Sequence, residues 1–316
     1  MNAEKKRGFW GFVTPDAPAV AAQAKMQEDA GVEGIFAPQL YTTPFIPLAV
    51  AAMDMDRISG GRFILGLGCS VQTLSGDIYG MPYGKPLAHL REVVDVIRLV
   101  IGKAHTGELE TYDGVYHKHD FSSLAWLSPP PPLRTEIPIW IAALRQPLVS
   151  LAAEIGDGVM GHPIWSVEWT TTKVPQAIEK GLKRAGKQRS DIEVQGGLYV
   201  AINNDRAEAV NDARATVAFY AGAPQYEEYF AAHGFREEAR RLQAAVQNGG
   251  HAGAAHLVPD EMAEKFVVCG TPDDVRKRIE PVWDVADSLV MAPPTYAQEP
   301  AKIMAYAGAI ASTFWA

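Results

Sequence analysis

The chain is poor in cysteine: it has two among 316 residues, Cys69 and Cys269, too few for a disulfide framework and without metal-site spacing. Both are expected to be reduced thiols. There is no long block of basic residues, and the formal net charge is −8. That argues against nucleic acid as the main ligand, because phosphate backbones are gripped by clustered Lys and Arg. Nowhere do about 18 uncharged apolar residues run together, so no segment suits a membrane span. The charged residues 1–7 are followed by no apolar signal core, and a cytoplasmic protein is expected. Three reaction signatures are also missing: a glycine-rich loop ending in Lys and Ser or Thr, a His-Glu-x-x-His pair and a Gly-x-Ser-x-Gly elbow. Hydrolase readings lose ground accordingly.

What is present is an alternation. With 47% hydrophobic residues the chain can bury one large core, and residues 1–316 read as a single domain. Short apolar runs at 8–13, 33–38, 63–68, 137–142, 158–161, 192–202 and 288–292 read as strands. Amphipathic stretches at 17–30, 48–57, 86–101, 148–155, 174–185, 207–220, 272–285 and 300–312 read as helices. Strand and helix in turn predict an α/β fold with a parallel sheet. Residues 105–135 form an insertion: a hairpin at 109–122 around Asp113-Gly114, then an extended proline run at 129–132. Residues 225–262 read as a helical insertion that either covers the mouth of the sheet as a lid or serves as a dimer arm or mere cover.

The most informative stretch is Asp56-Arg57-Ile58-Ser59-Gly60-Gly61-Arg62-Phe63-Ile64-Leu65-Gly66-Leu67-Gly68. It reads as a helix end, a glycine stop, a buried strand and a glycine-rich exit. Gly66 and Gly68 stand near the C-terminal end of that strand, where parallel α/β folds gather ligands. Either they keep a surface open for a ligand or they relieve packing. Cys69 and Ser70 follow directly. Ala143-Leu144-Arg145-Gln146 leads from another strand into a helix, whose free N–H groups suit a cofactor phosphate, with Arg145 adding charge. His162 follows a third strand and is either a working imidazole or a structural tie for its loop. His117 and His119 share one face of the hairpin, but no third ligand is evident and no metal site is expected.

The 56–68 stretch, Ala152-Ala153-Glu154-Ile155-Gly156-Asp157-Gly158-Val159, Gly161-His162-Pro163 and Gly270-Thr271-Pro272-Asp273-Asp274-Val275 together resemble the bacterial luciferase-like superfamily. The stretch from Ala218-Phe219-Tyr220 to His233-Gly234-Phe235 is most similar to its deazaflavin (coenzyme F420)-dependent oxidoreductases. The resemblance implies a TIM (β/α)8 barrel and hydride transfer between F420 and a small organic substrate. An FMN-dependent monooxygenase is the close alternative, and a non-catalytic flavin-binding or dimerising relative is the alternative of another class. It also implies a homodimer, with the apolar face of 48–55 as a candidate interface. One βα unit of the barrel is missing or rearranged near residue 52, where two helices of the family look fused. Phe266-Val267-Val268-Cys269 is an alternative eighth strand. Gln39 and Leu40 replace the family's usual acidic residue and His, so either substrate activation falls to Asp16, Tyr41, Tyr79 or His162, or the reaction needs only hydride transfer in a shielded pocket. The cofactor site expected from these comparisons is Gly66, Gly68, Cys69, Ser70, Ala143, Leu144, Arg145, Gln146 and His162.

Overall fold

The computed structural model describes residues 8–12, 26, 29, 31, 34–36, 45–78, 80, 83–121 and 130–315. Strands are β1 (Gly8–Phe12), β2 (Gly34–Phe36), β3 (Leu65–Leu67), β4 (Tyr112–Asp113), β5 (Lys118–His119), β6 (Ile139–Ala143), β7 (Gly158–Gly161), β8 (Glu193–Ile202), β9 (Val267–Gly270) and β10 (Ser288–Ala292). Helices are α1 (Phe45–Ile58), α2 (Pro86–Lys103), α3 (Gln146–Ile155), α4 (Val167–Ala185), α5 (Arg206–Ala221), α6 (Glu227–Ala231), α7 (Arg236–Ala254), α8 (Asp260–Phe266), α9 (Pro272–Ile279) and α10 (Pro300–Phe314). Among the described residues no helix is long and apolar enough to cross a membrane.

Eight parallel strands form one curled sheet, seven of them in the spatial order β2-β1-β10-β8-β7-β6-β3 and β9 off this path beside β8. This is the expected barrel path, with a break in it among the described residues. Among the described residues β2 pairs only with β1, and β3 only with β6. The break falls where a strand was expected to be missing, and α1 runs without interruption through residue 52. The alternative strand exists as β9 but does not close the barrel. It pairs with the far end of β8, from Tyr199 opposite Val267 to Ile202 opposite Gly270, after β8 has already paired with β10 from Gln195 to Tyr199.

Local chemistry sets these elements. In α2 the buried residues Leu90, Val93, Val94, Ile97, Val100 and Ile101 recur at three- and four-residue steps, which gives one apolar face. Helix α1 ends at Gly60 and Gly61, both with positive φ of 67° and 85°, conformations that L side chains rarely adopt. Just before that stop, the buried Asp56 carboxylate accepts from Arg134 Nη2 at 2.7 Å, and the same guanidinium donates to the Phe63 carbonyl at 2.6 Å. One ion pair thus ties the helix end, the strand entry and the segment before β6 together.

Helix α4 starts at Val167, well before the expected 174. Pro175 lies inside it, and Thr170 and Thr172 bond back onto the helix, donating to the carbonyls of Ser166 and Glu168. Ser166 caps it by accepting from the Trp169 amide at 2.9 Å. The helix expected at 272–285 stops at Ile279 and continues as a tighter 3-10 turn, Glu280–Asp284, because Pro281 offers no amide hydrogen. The expected hairpin forms as β4 and β5, docked on α2 by Glu92, whose carboxylate accepts from the amides of Val115, Tyr116 and His117. The helix expected at 17–30 lies outside the described residues except Met26 and Asp29.

Candidate active site

Side-chain alternation divides the strands around the break into two faces. Leu65, Leu67, Ile139, Ile141 and Ala143 are buried on the helix side. Gly66, Gly68 and Ala142 are exposed on the concave side, with Met160 of β7 beside them. A Cβ at Gly66 would stand 3.4 Å from Met160 Sδ, and one at Gly68 would stand 3.5 Å from Ala142 Cβ. Both are ordinary contacts, and neither glycine has a positive φ. Packing and backbone geometry would therefore accept alanine at either position. Relief of crowding does not account for these glycines, which leave an open strip on the concave face.

The rim of the strip comes from the loops after β3 and β6. Ser70 has a φ of 56°, and its carbonyl accepts from the Tyr83 hydroxyl at 3.1 Å. The Arg145 charge acts on the same Tyr83. Arg145 is exposed, occupies the N-cap of α3 in extended conformation and makes no side-chain cap. The first turn of a ten-residue helix thus opens beside a guanidinium, a suitable seat for an anionic group.

His162 follows β7 at the same end of the sheet. Its Nδ1 accepts from the Ile164 amide at 3.1 Å, so the neutral ring carries its proton on Nε2 and donates to the Tyr226 hydroxyl at 3.2 Å. Burial pushes the imidazole down to about 4, and burial pushes the Tyr226 phenol up to about 12. Both groups are neutral at physiological pH. Around them stand Tyr220, 5.2 Å from both the His162 and the Tyr226 ring, and Tyr296, stacked on Phe219 at 3.9 Å. Tyr199, near the end of β8, meets the Tyr220 hydroxyl at 3.1 Å. Residues from β8, from the segments after β7 and β10, and from α5 and the turn after it thus converge on one aromatic cluster. Among the described residues no group of three His, Cys, Asp or Glu side chains is placed to hold a metal ion.

A luciferase-like monooxygenase profile matches residues 37–286. The chain belongs to this family. It is an oxidoreductase, the class shared by its named relatives and structural neighbours. A 5,10-methylenetetrahydromethanopterin reductase of Archaeoglobus fulgidus is 34% identical over 251 residues, 77% of this chain and 71% of the relative. The solved F420-dependent tetrahydromethanopterin reductase of Methanopyrus kandleri superposes with a TM-score of 0.74 at 24% identity, covering 94% of this chain and 96% of the other. An F420-dependent secondary alcohol dehydrogenase solved with an F420–acetone adduct gives 0.67 at 15% identity, over 98% and 99% of the two chains.

Within this family site the expected residues separate by what they present. Gly66, Gly68, Ser70, Arg145 and His162 stand at the concave face or its rim. The Cys69 thiol turns away and donates to the Pro86 carbonyl at 3.5 Å, and burial pushes it up to about 11, the opposite of an activated nucleophile. The side chain of Ala143 is buried and that of Leu144 packs against the core, so both offer only backbone. The Gln146 amide donates to the Lys173 carbonyl of α4 at 3.2 Å. Asp16, Gln39, Leu40, Tyr41 and Tyr79 lie outside the described residues. Sequence reasoning missed Tyr199, Tyr220, Tyr226 and Tyr296. The Ala218-Phe219-Tyr220 motif pointed at the right segment but not at the cluster it builds.

Proposed function

We propose that the protein is a deazaflavin-dependent oxidoreductase that transfers hydride to or from a small organic substrate. The observation that carries this reading is the glycine strip of Gly66 and Gly68, left open although neither packing nor backbone demands it. In the reading, the strip receives the ring system, and the first turn of α3 with Arg145 holds a phosphate of the cofactor tail. The deazaflavin supplies a two-electron hydride carrier with little reactivity toward oxygen. The chain's own residues position it, exclude water and keep neutral hydrogen-bond donors, His162 and Tyr226, at the same mouth. The relatives named for F420 support the cofactor.

An equilibrium titration with F420 and, separately, with FMN tests the reading through the chromophore of each. Saturable binding of F420 alone is expected, and Arg145→Ala is expected to weaken it about tenfold by removing a charge-assisted contact. A preference for FMN would transfer the reading to an oxygen-using monooxygenase. A folded protein that takes up neither would be a non-catalytic relative.

A further inference from the structure

The hydrogen bonds around Tyr226 leave one proton uncommitted. The Tyr226 oxygen accepts from His162 Nε2, whose orientation is fixed from behind by the Ile164 amide on Nδ1. Tyr199, Tyr220 and Tyr296 bond among themselves. Among the described residues the Tyr226 hydroxyl makes no second hydrogen bond, so its own O–H points to a partner still to come. Tyr226 is half-buried and lies in the turn Pro224–Tyr226, at the start of the insertion over the strand ends. The rings beside it are Tyr220 and His162, with Phe219 and Tyr296 stacked just beyond.

We propose that Tyr226 is the catalytic proton donor of the site, with His162 as its positioning residue, and that the substrate is an aryl aldehyde or ketone. This rests on the hydride-transfer reading above. The carbonyl carbon takes the hydride and its electron pair from the reduced deazaflavin, the C=O π pair moves onto oxygen, and that oxygen takes the Tyr226 proton. The product is the alcohol, and the deazaflavin is left oxidised. The tyrosinate is held by the His162 N–H until water returns a proton. The aromatic walls select the aryl group by edge and face contacts.

Two probes test the proposal. Benzamide presents the same carbonyl oxygen but is not reduced, and its binding to the cofactor-free protein is measured by calorimetry. Wild type is expected to bind it about tenfold more tightly than Tyr226→Phe, the loss of one hydrogen bond. His162→Phe should weaken it in the same direction, and His162→Gln, which retains an N–H donor, should restore it. With F420-loaded protein and benzaldehyde, Tyr226→Phe should lower kcat about 100-fold with little change in KM. F420 affinity should be the same in wild type and Tyr226→Phe. Benzamide that binds equally to wild type and Tyr226→Phe, or to neither, overturns the proposal, as does an unchanged kcat. Loss of F420 binding by the wild type itself would instead overturn the hydride-transfer reading.

Discussion

At the scale of single residues, His162 shows how one imidazole couples site chemistry to stability. Its ordinary value is 6.5, and burial lowers it to about 4 in the fold, so the folded chain prefers the neutral ring. The stabilising contribution is therefore fully present above pH 6.5 and is lost as the pH falls through the folded value. For a mostly enclosed ring this is roughly 2 kcal/mol. Urea unfolding of wild type and His162→Gln at pH 7 and at pH 4 measures it: the wild-type advantage should shrink by about that amount at the lower pH. An advantage independent of pH would show that the ring is not held neutral by the fold. The place of His162, after an apolar strand and before Pro163, was legible, but its tautomer was not. That depends on the Ile164 amide and on Tyr226, 64 residues further along. Cys69 was misleading for the same reason. Adjacent to Gly68, it reads as a rim residue, yet strand alternation turns its thiol to the helix side.

At the scale of elements, strands were legible because parallel strands buried on both faces are continuous apolar runs; β7 and β10 match their expected ranges. Helix starts were less so, since α4 depends on a Ser166 cap and on threonines that spend their hydroxyls on the helix itself. What no periodicity shows is how the insertion is fastened. Tyr229, fully buried on α6, donates to the Ile164 carbonyl at 2.9 Å and accepts from the Ser166 amide at 3.0 Å. Ser166 in turn meets His233 Nε2 at 2.9 Å, while the other ring nitrogen donates to the Tyr229 carbonyl. This latch holds α6 against the loop that also carries His162. Tyr229→Phe keeps the ring but strands a buried carbonyl and a buried amide, at a cost of about 2 kcal/mol. Chemical denaturation should show that loss, and limited proteolysis should cut within 225–262 faster than in the wild type. Equal stability and equal cleavage would mean that the aromatic packing of Tyr229 on Trp169 and Phe266 suffices as the fastening.

At the scale of the whole molecule, the defining feature is a barrel path that, among the described residues, stops on either side of one position. The gap was legible because α1 spans, in one apolar helix, what the family divides between two helices with a strand between them. What was not legible is how β9 behaves, because an apolar four-residue run carries no information about which strand it will join. The path predicts a gradient of local stability. Strands β7 and β8 each have neighbours on both sides, whereas β3 is three residues long and, among the described residues, bonded to β6 alone. Backbone amides open more readily where fewer neighbouring bonds must break. Hydrogen–deuterium exchange should therefore find the Leu65–Leu67 amides exchanging at least tenfold faster than those of Val159 and Val194. If β3 is protected as strongly as β7, another strand pairs with its free edge and the barrel is closed. The same edge borders Gly66 and Gly68, so ligand placed on that strip is the one agent expected to slow β3 selectively. F420 added to saturation should raise protection there and leave β8 near its starting value, while uniform protection across the sheet would argue against a ligand seat on the glycine strand.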